Sequence, residues 1–279
     1  MIASLLWASG YIVMKWGLDH FHPLCLIALR MLVGGLAFLW AVPWLKGKVK
    51  YQAGDWKWFA VMGLGEPCLY FIFEIYALTY TTASQAGTIA AIIPILVALG
   101  AFFTLGERMS ARSWLGAGLA ISGVVWLSLG AEATEAAPNP LWGNFLELCA
   151  VICASVYFLC ARRLGRHYKP LLITAVQTWI GAVFYLPVLF IPGLGLPAEA
   201  PLIAWAGIVY LGLVVSLGAY GSFNFGLSRL NAGNATIYLN LIPVFALLMG
   251  VVFLGERLTL QQYPACALVL LGLFISRSN

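Results

Sequence analysis

The sequence predicts an all-α integral membrane protein with ten transmembrane helices. Its 279 residues are 62% hydrophobic and only 9% charged, whereas soluble domains carry about 25% charged residues. The charged residues also cluster, leaving apolar runs of roughly 17–25 residues, the length that crosses a hydrocarbon core as a helix. Because backbone amides inside lipid must be satisfied within the segment, we expect each run to be helical.

The ten predicted helices are joined by short connections, so that no separate soluble domain is expected. The helices cover residues 2–18, 23–45, 58–79, 83–105, 113–130, 142–161, 170–192, 202–224, 232–254 and 261–276.

The basic residues predict how the bundle is oriented. With the N-terminus inside, twelve of the 15 Lys and Arg residues fall in inner connections or the inner C-terminus, and only Arg257 falls in an outer one. Lys15 and Arg30 lie within predicted helices. The positive-inside rule therefore places both termini in the cytoplasm. The net charge of +5 reflects this asymmetry, so a nucleic-acid partner is not expected.

An internal repeat divides the chain. Residues 94–108, PILVALGAFFTLGER, and residues 243–257, PVFALLMGVVFLGER, share a proline, an apolar run and Gly-Glu-Arg. We predict five-helix repeats at 1–130 and 141–279, joined by an outer linker at 131–140. Because five is odd, the second repeat is inverted relative to the first. Inverted repeats with kinked helices around a mid-membrane site are typical of secondary transporters.

The repeated prolines, Pro94 and Pro243, lie about halfway along predicted helices 83–105 and 232–254. A proline there removes a backbone hydrogen bond and kinks the helix. Their equivalent positions favour paired hinges, although membrane helices also tolerate proline without a functional role. We interpret the Gly-Glu-Arg turns as structural helix ends, with Gly255 suited to a C-cap and Glu256 to capping or pairing within its turn.

Ionisable residues inside the predicted helices need a reason, because a charge at the bilayer centre costs at least about 2.5–3.5 kcal/mol. Glu66, Tyr70 and Glu74 are spaced to share one helical face. Arg30 either pairs with Glu74 or holds a substrate carboxylate. Glu66 is the better candidate for proton exchange, whereas Glu147 is expected to snorkel to the headgroups. The second repeat offers uncharged counterparts at related positions, namely Gln177, Tyr220 and Asn224.

Polar residues also mark the two kinked helices. Thr82 and Gln85 match Asn231 and Asn234 in the second repeat. Because the repeats are inverted, the two pairs lie near opposite mouths, as a pair of gates requires. Ordinary interhelical hydrogen bonding is the alternative. The second stripe is extended by two further polar residues, Tyr238 and Asn240.

Five aromatic residues lie well inside predicted helices and are candidates to stack on an aromatic solute. Helix packing is the alternative for each of them. They are Trp7, Tyr11, Tyr157, Trp179 and Tyr185.

This combination resembles the EamA branch of the drug/metabolite transporter superfamily. The resemblance is carried by the proline in the fourth helix, the Gly-Glu-Arg after it and the glycine-rich fifth helix with Gly116, Gly118 and Gly123. In its aromatic-rich character the chain is most similar to the YddG-type aromatic amino acid exporters. The resemblance implies a multi-pass protein of a bacterial inner membrane that exports amino acids or related metabolites.

The function predicted from the sequence is therefore secondary export of small organic solutes by alternating access. Amino acids, including aromatic ones, are the first expectation, and other metabolites or drugs such as nucleobases and cationic compounds are the alternative. Transport could be proton-coupled or facilitative. The sequence carries no catalytic or phosphate-binding motif, so neither an enzyme nor ATP drive is expected. We expect the bilayer, the solute and optionally protons as partners, with no cofactor, metal or obligate protein partner.

Overall fold

The structure, a computed structural model, describes residues 1–45, 51–105, 109–229 and 241–276. These ranges are helical and contain no β-strand beyond an isolated bridge between Thr134 and Ala137. Seven of the described helices are long and apolar enough to cross a membrane, and two shorter apolar helices lie near the C-terminus. The predicted all-helical membrane class is confirmed at this level.

The helices are numbered in chain order, and three irregular segments separate some of them. The irregular segments are two π-helical stretches, Leu64–Leu69 and Tyr210–Ala219, and a 3₁₀ turn, Leu186–Phe190. The α-helices are α1 (Ile2–Gly17), α2 (Pro23–Leu45), α3 (Asp55–Gly63), α4 (Tyr70–Tyr80), α5 (Ala83–Ala90), α6 (Ile93–Leu105), α7 (Ala111–Leu129), α8 (Pro140–Leu164), α9 (Pro170–Tyr185), α10 (Leu202–Val209), α11 (Tyr220–Arg229), α12 (Ile242–Leu254) and α13 (Gln262–Ser276).

The helix predicted over 58–79 is not continuous. Its backbone is extended at Glu66, with φ −145° and ψ 119°, and the peptide bond from Glu66 to Pro67 is cis. Pro67 has no amide hydrogen to continue the helix. The hydroxyl of Tyr185 donates to the carbonyl oxygen of Cys68 at 2.5 Å, so a side chain satisfies backbone that the break leaves unpaired.

The helix predicted over 83–105 is interrupted as well, but one turn earlier than expected. Residues 91 and 92 form a turn between α5 and α6, and Pro94 is the second residue of α6. At the start of a helix a proline sacrifices no hydrogen bond, so the predicted mid-helix kink is instead a break before the proline. Pro243 is likewise the second residue of α12, and the segment before Leu241 lies outside the described residues.

The α7–α13 pair forms the most extensive helix contact of the bundle. A Cβ added to Gly116 would lie 2.5 Å from the carbonyl oxygen of Gly272, and one added to Gly272 would lie 2.6 Å from the carbonyl oxygen of Gly116. The two backbones therefore touch directly, as small residues permit in membrane helix pairs. Gly118 has no atom within 4 Å of its would-be Cβ, so only one face of the glycine-rich helix is used.

The remaining helices surround a central cavity. Helix α2 packs on α9, α4 on α8, α5 on α12, and α1 on the Tyr210–Ala219 segment. All four interrupted stretches of the described chain that are long enough to span a membrane lie in this group, namely Asp55–Tyr80, Ala83–Phe103, Pro170–Phe190 and Leu202–Gly226. The cavity is consequently bordered by irregular backbone rather than by uniform helix.

Replacing Gly116 with leucine should disrupt the α7–α13 contact. The added side chain has backbone in its path, and overpacking of this kind costs about 1–3 kcal/mol or more. We expect the melting temperature of the purified protein, measured by fluorescence-detected size exclusion after heating, to fall by at least about 5 °C. Gly118→Leu on the same helix is the matched control and should melt like the wild type. Equal melting of the two variants would contradict the contact.

Candidate functional site

A small cavity lies at the centre of the bundle, bordered by α1, α2, α4, α5, α6, α8, α11, α12 and the two π-helical segments. It encloses about 40 Å³, which is space for only a few water molecules. A solute of amino-acid size therefore requires the surrounding helices to move apart. Four of the lining residues were predicted from the sequence as ionisable or polar residues inside helices, namely Arg30, Glu66, Tyr70 and Glu74. The aromatic part of the wall is formed by Trp7, Tyr11, Phe71, Phe158 and Tyr220.

Arg30 is fixed in the cavity wall by neutral groups. Its guanidinium donates from Nε to the hydroxyl of Ser216 at 3.1 Å and from Nη1 to the sulfur of Met14 at 3.3 Å. It also lies over the ring of Phe71, 4.4 Å from the ring centroid. The ion pair between Arg30 and Glu74 considered from the sequence is not formed. Arg30 is only 2% exposed, and a buried cation without a bonded carboxylate is free to attract an anionic group.

Ser216 was missed by the sequence analysis, although the repeat offered a signal for it. It occupies the position of the second repeat that is offset by 150 residues from Glu66. Both residues lie in π-helical segments, Leu64–Leu69 and Tyr210–Ala219, and both contribute polar atoms to the centre of the bundle. Matching residues by offset rather than by chemical type would have found it.

Glu66 and Glu74 both line the cavity, as their predicted common face implied. Helical spacing does not fully explain why the two residues line one cavity, since Glu66 lies on the extended backbone before α4. The hydroxyl of Tyr220 donates to Oε1 of Glu66, and the hydroxyl of Tyr70 donates to Oε1 of Glu74 at 2.5 Å. Oε2 of Glu74 is buried and has no hydrogen-bond partner. Tyr220 at the start of α11 thus supplies the contact to Glu66, whereas Glu74 is held from its own helix.

The prediction that Glu147 snorkels to the headgroups is wrong. Its side chain is fully buried, because α8 packs against α4 along this face. The hydroxyl of Tyr11 donates to Oε1 of Glu147 at 3.0 Å, while Oε2 has no partner. Tyr11 itself lines the cavity, so Glu147 lies one residue behind the wall.

Trp7 is at the centre of an aromatic group on one side of the cavity. Its ring centroid lies 5.1 Å from that of Tyr220 and 5.2 Å from that of Phe223. Tyr157 lies behind this group, and its hydroxyl accepts a hydrogen bond from the amide of Asn224 at 3.3 Å. Trp7 and Tyr220 therefore face the cavity, whereas Tyr157 and Asn224 support them from outside it.

Two predicted cavity residues on α9 lie elsewhere. The indole of Trp179 donates to the carbonyl oxygen of Gly35 at 3.0 Å and packs beside Phe38 between α2 and α9. Gln177 is buried on the same helix, but it does not line the cavity. Trp179 therefore packs between helices, which was the alternative to a place in the cavity wall.

Thr82 and Gln85, the first predicted gate pair, lie where α5 begins. The hydroxyl of Thr82 caps α5 by accepting from the backbone amide of Gln85 at 3.2 Å. The side chain of Gln85 accepts from the amide of Asn144 on α8 at 2.8 Å, and the hydroxyl of Thr81 donates to Asn144 at 2.7 Å. The partner stripe lies outside the described residues and comprises Asn231, Asn234, Tyr238 and Asn240.

The turn between α4 and α5 is held by two charged side chains from other elements, Lys15 and Glu256. The ammonium group of Lys15 donates to the carbonyl oxygens of Leu78 at 2.5 Å and Thr81 at 2.8 Å. It also donates to the carbonyl oxygen of Ala136 at 2.6 Å. A cation thus meets the carboxyl end of α4, which the helix dipole favours.

Glu256 binds the other side of the same turn. Its two carboxylate oxygens accept from the backbone amides of Ala83 at 2.7 Å and Ser84 at 2.9 Å, a favourable place for an anion at a helix N-terminus. Gly255 supplies the left-handed C-cap of α12, with φ 64°. The structural interpretation of the Gly-Glu-Arg turn agrees with this contact, but Glu256 caps α5 rather than its own turn. The first copy, residues 106–108, lies outside the described residues.

A bundle of apolar helices that encloses a buried cavity with ionisable and aromatic walls has the construction of a membrane transporter. The model of the EamA-like transporter family matches the chain twice, over residues 1–129 and 141–278. The chain therefore belongs to the EamA-like transporter family.

Individual relatives agree with this assignment. The uncharacterized transporter YetK of Bacillus subtilis (strain 168) is 28% identical over 210 residues, which cover 75% of this chain and 64% of YetK. A probable terminal-alkyne amino-acid exporter of Streptantibioticus cattleyicolor is 30% identical over 256 residues, covering 92% of this chain and 84% of the exporter. A crystal structure of a protein that is 26% identical superposes with a TM-score of 0.68 and covers 98% of this chain and 93% of that one.

Removing the carboxylate of Glu256 should loosen the start of α5. Glu256→Ala leaves the amides of Ala83 and Ser84 without their acceptors, and loss of such a cap costs about 1–2 kcal/mol. We expect amides in residues 83–90 to exchange hydrogen roughly tenfold faster, measured by mass spectrometry in lipid nanodiscs. Glu135→Gln, an exposed neighbour in the same surface cavity, is the control. Unchanged exchange in Glu256→Ala would show that the cap is not maintained in the membrane.

Proposed function

We propose that the protein is a secondary exporter of small organic solutes, with amino acids, including aromatic ones, as its first substrates. The observation that carries this proposal is the buried cavity, in which one guanidinium, two carboxyl groups and a set of aromatic rings meet in the middle of an apolar bundle. An aromatic amino acid presents matching groups in one molecule. The relative whose name describes a probable amino-acid exporter supports the same solute class.

The proposed role of each residue follows from the contacts that its side chain makes in the cavity wall and from the surface that it presents to the cavity. Arg30 has only neutral partners in the wall and would hold the substrate carboxylate. Trp7 and Tyr220 present rings to the cavity, and an aromatic side chain of the solute would pack against them. Glu66 is buried at the break within the interrupted span Asp55–Tyr80 and is the candidate for proton exchange.

The architecture proposed for this activity is two inverted five-helix repeats, residues 1–130 and 141–279, with both termini in the cytoplasm. Three observations support it. The family model matches twice, over 1–129 and 141–278. The π-helical segments Leu64–Leu69 and Tyr210–Ala219 overlap when shifted by 150 residues. The helix contacts are also compatible with a pseudo-twofold axis, since the equivalent helices α2 and α9, and α7 and α13, pack on one another.

Alternating access would use the interrupted helices. The turn at residues 91–92 separates α5 from α6 just before Pro94, and Pro243 begins α12 at the equivalent place. Bending at these points would open one mouth of the bundle while the other closes. With the proposed orientation, the turn between α4 and α5 lies at the outer mouth, where Lys15 and Glu256 hold it in place. The proposed membrane is the bacterial inner membrane, as the Bacillus relative favours.

The proposed solute class is tested by counterflow in proteoliposomes loaded with single solutes. We expect aromatic amino acids to exchange at least about tenfold faster than in protein-free liposomes, because the cavity offers both an ionic and an aromatic contact. Transport of cationic drugs or nucleobases without any amino acid would contradict this class and favour the alternative of a broader metabolite or drug exporter.

Replacing the hinge proline Pro243 with alanine should reduce transport while leaving the fold intact. The substitution allows a regular helix to extend through the proposed hinge, and we expect counterflow to fall by about tenfold with an unchanged melting temperature. Pro140→Ala, at the first position of α8, removes a proline outside the proposed hinges and should transport normally. Full activity of Pro243→Ala would exclude the hinge.

Neutralising Glu66 tests the alternative of proton coupling. Glu66→Gln should abolish uptake driven by a proton gradient but preserve counterflow, because only the former requires a group that gains and loses a proton. The exposed Glu132→Gln is the control and should retain both activities. If the gradient drives uptake equally well in Glu66→Gln, another group carries the proton or none does.

A further inference from the structure

Some polar groups of the cavity wall have hydrogen-bond partners in the protein and others do not. The hydroxyl groups of Tyr70, Tyr220 and Tyr11 each already donate to a glutamate oxygen, and Arg30 donates to Ser216 and Met14. Two buried polar atoms of the described cavity wall have no hydrogen-bond partner, namely the donor Nε1 of Trp7 and the acceptor Oε2 of Glu74. The unmet acceptor capacity of this wall therefore belongs to Glu74.

The position of Glu74 keeps Oε2 available for a ligand. The residue is 3% exposed, and its other oxygen is fixed by Tyr70 at 2.5 Å, so its carboxyl group cannot turn away without losing this bond. A buried oxygen without a partner is destabilising because it has lost its hydrogen bonds to water. A ligand that donates a hydrogen bond there recovers this cost on binding.

The charges around Glu74 favour a cationic donor over a neutral one. Three glutamates lie in or directly behind the cavity wall, namely Glu66, Glu74 and Glu147, against one basic side chain, Arg30. Glu147 lies close enough to Glu74 for the two carboxyl groups to interact electrostatically. An added positive charge stabilises the ionised form of the nearby carboxyl groups, whereas an added negative charge disfavours it.

The walls near Glu74 are also compatible with a cation. Tyr11, Tyr70 and Phe71 line the same cavity, and the Phe71 ring already carries the Arg30 guanidinium at 4.4 Å. Aromatic faces attract ammonium groups within about 6 Å, and more strongly where water is excluded. The free acceptor, the charges and the aromatic surface around Glu74 all favour a cationic group that donates hydrogen bonds.

We propose that Glu74 binds the ammonium group of the solute, so that the protein selects solutes by their primary amine and can dispense with the carboxylate. The proposal rests on the proposed function and deepens it: the substrate class becomes aromatic primary amines, with amino acids as the members that additionally engage Arg30. The ammonium group donates to Oε2 of Glu74 and no covalent step is involved.

Three probes of nearly equal shape separate the two ends of the solute. L-Phenylalanine carries an amine and a carboxylate, phenethylamine carries only the amine, and 3-phenylpropanoate carries only the carboxylate. Binding to the purified protein in nanodiscs, measured by intrinsic tryptophan fluorescence, is followed by counterflow of each probe. We expect phenylalanine and phenethylamine to bind and exchange, and 3-phenylpropanoate to bind at least about tenfold more weakly.

The variants assign this preference to one carboxylate. Glu74→Gln should reduce binding of both amines by at least about tenfold and remove the discrimination against 3-phenylpropanoate. Glu132→Gln is the matched control, since it neutralises an exposed glutamate that does not line the cavity, and it should retain the amine preference. Glu74→Asp keeps the charge on a shorter side chain and should retain the preference with weaker binding, which guards against a folding defect in Glu74→Gln.

The outcomes distinguish this proposal from the function on which it rests. If 3-phenylpropanoate binds as well as the amines, or Glu74→Gln keeps the wild-type ratio, the ammonium site is overturned while amino-acid export stands. If phenylalanine binds but phenethylamine does not, recognition depends on the carboxylate, and the inference again fails alone. Binding of none of the three overturns the amino-acid function and the inference together.

Discussion

The structure depends on keeping one guanidinium and three carboxyl groups inside an apolar bundle. Each of these groups is expensive in lipid unless other atoms replace the water it has lost. The replacements come from distant parts of the chain: Ser216 contacts Arg30, Tyr220 contacts Glu66, and Tyr11 contacts Glu147. These contacts join residues more than 100 positions apart, so the polar centre links the first part of the bundle to the second. Any opening of the cavity has to exchange these hydrogen bonds for contacts with water or solute.

The same constraint explains where the backbone departs from regular helix. Irregular backbone in a membrane protein is tolerated only where protein or a water-filled cavity satisfies it. The breaks at Leu64–Leu69 and Tyr210–Ala219 border the cavity, and Tyr185 satisfies carbonyl oxygens at the first of them. The helix breaks and the polar side chains of the cavity thus occur at the same place. Discontinuous helices in secondary transporters are arranged in this way around their binding sites.

Rigid and adjustable contacts are distributed differently over the bundle. Helices α7 and α13 meet backbone to backbone at Gly116 and Gly272, so their contact allows little sliding without a clash. The turn between α4 and α5 is instead held by the side chains of Lys15 and Glu256, which can exchange partners without deforming a helix. This difference agrees with a frame formed by the α7–α13 pair and moving parts at the mouths.

The sequence by itself determined the helical membrane class, the family resemblance and most of the ionisable residues of the cavity. These follow from properties that are local or periodic along the chain: apolar length, the cost of charge in lipid, and the repeated Pro…Gly-Glu-Arg pattern. Glu66, Tyr70 and Glu74 were placed together because their spacing is helical, and they do line one cavity.

Only the tertiary structure decided which partner each polar group has. Arg30 lies on Phe71 rather than against Glu74, Glu147 is buried under Tyr11, and Trp179 packs between α2 and α9. The helix breaks also fall at residues 64–69 and 91–92, although proline alone pointed to mid-helix kinks. The physical reason is the same in each case. Burial and hydrogen bonding depend on helices that are distant in sequence, whereas periodicity records only which face of a helix a residue occupies.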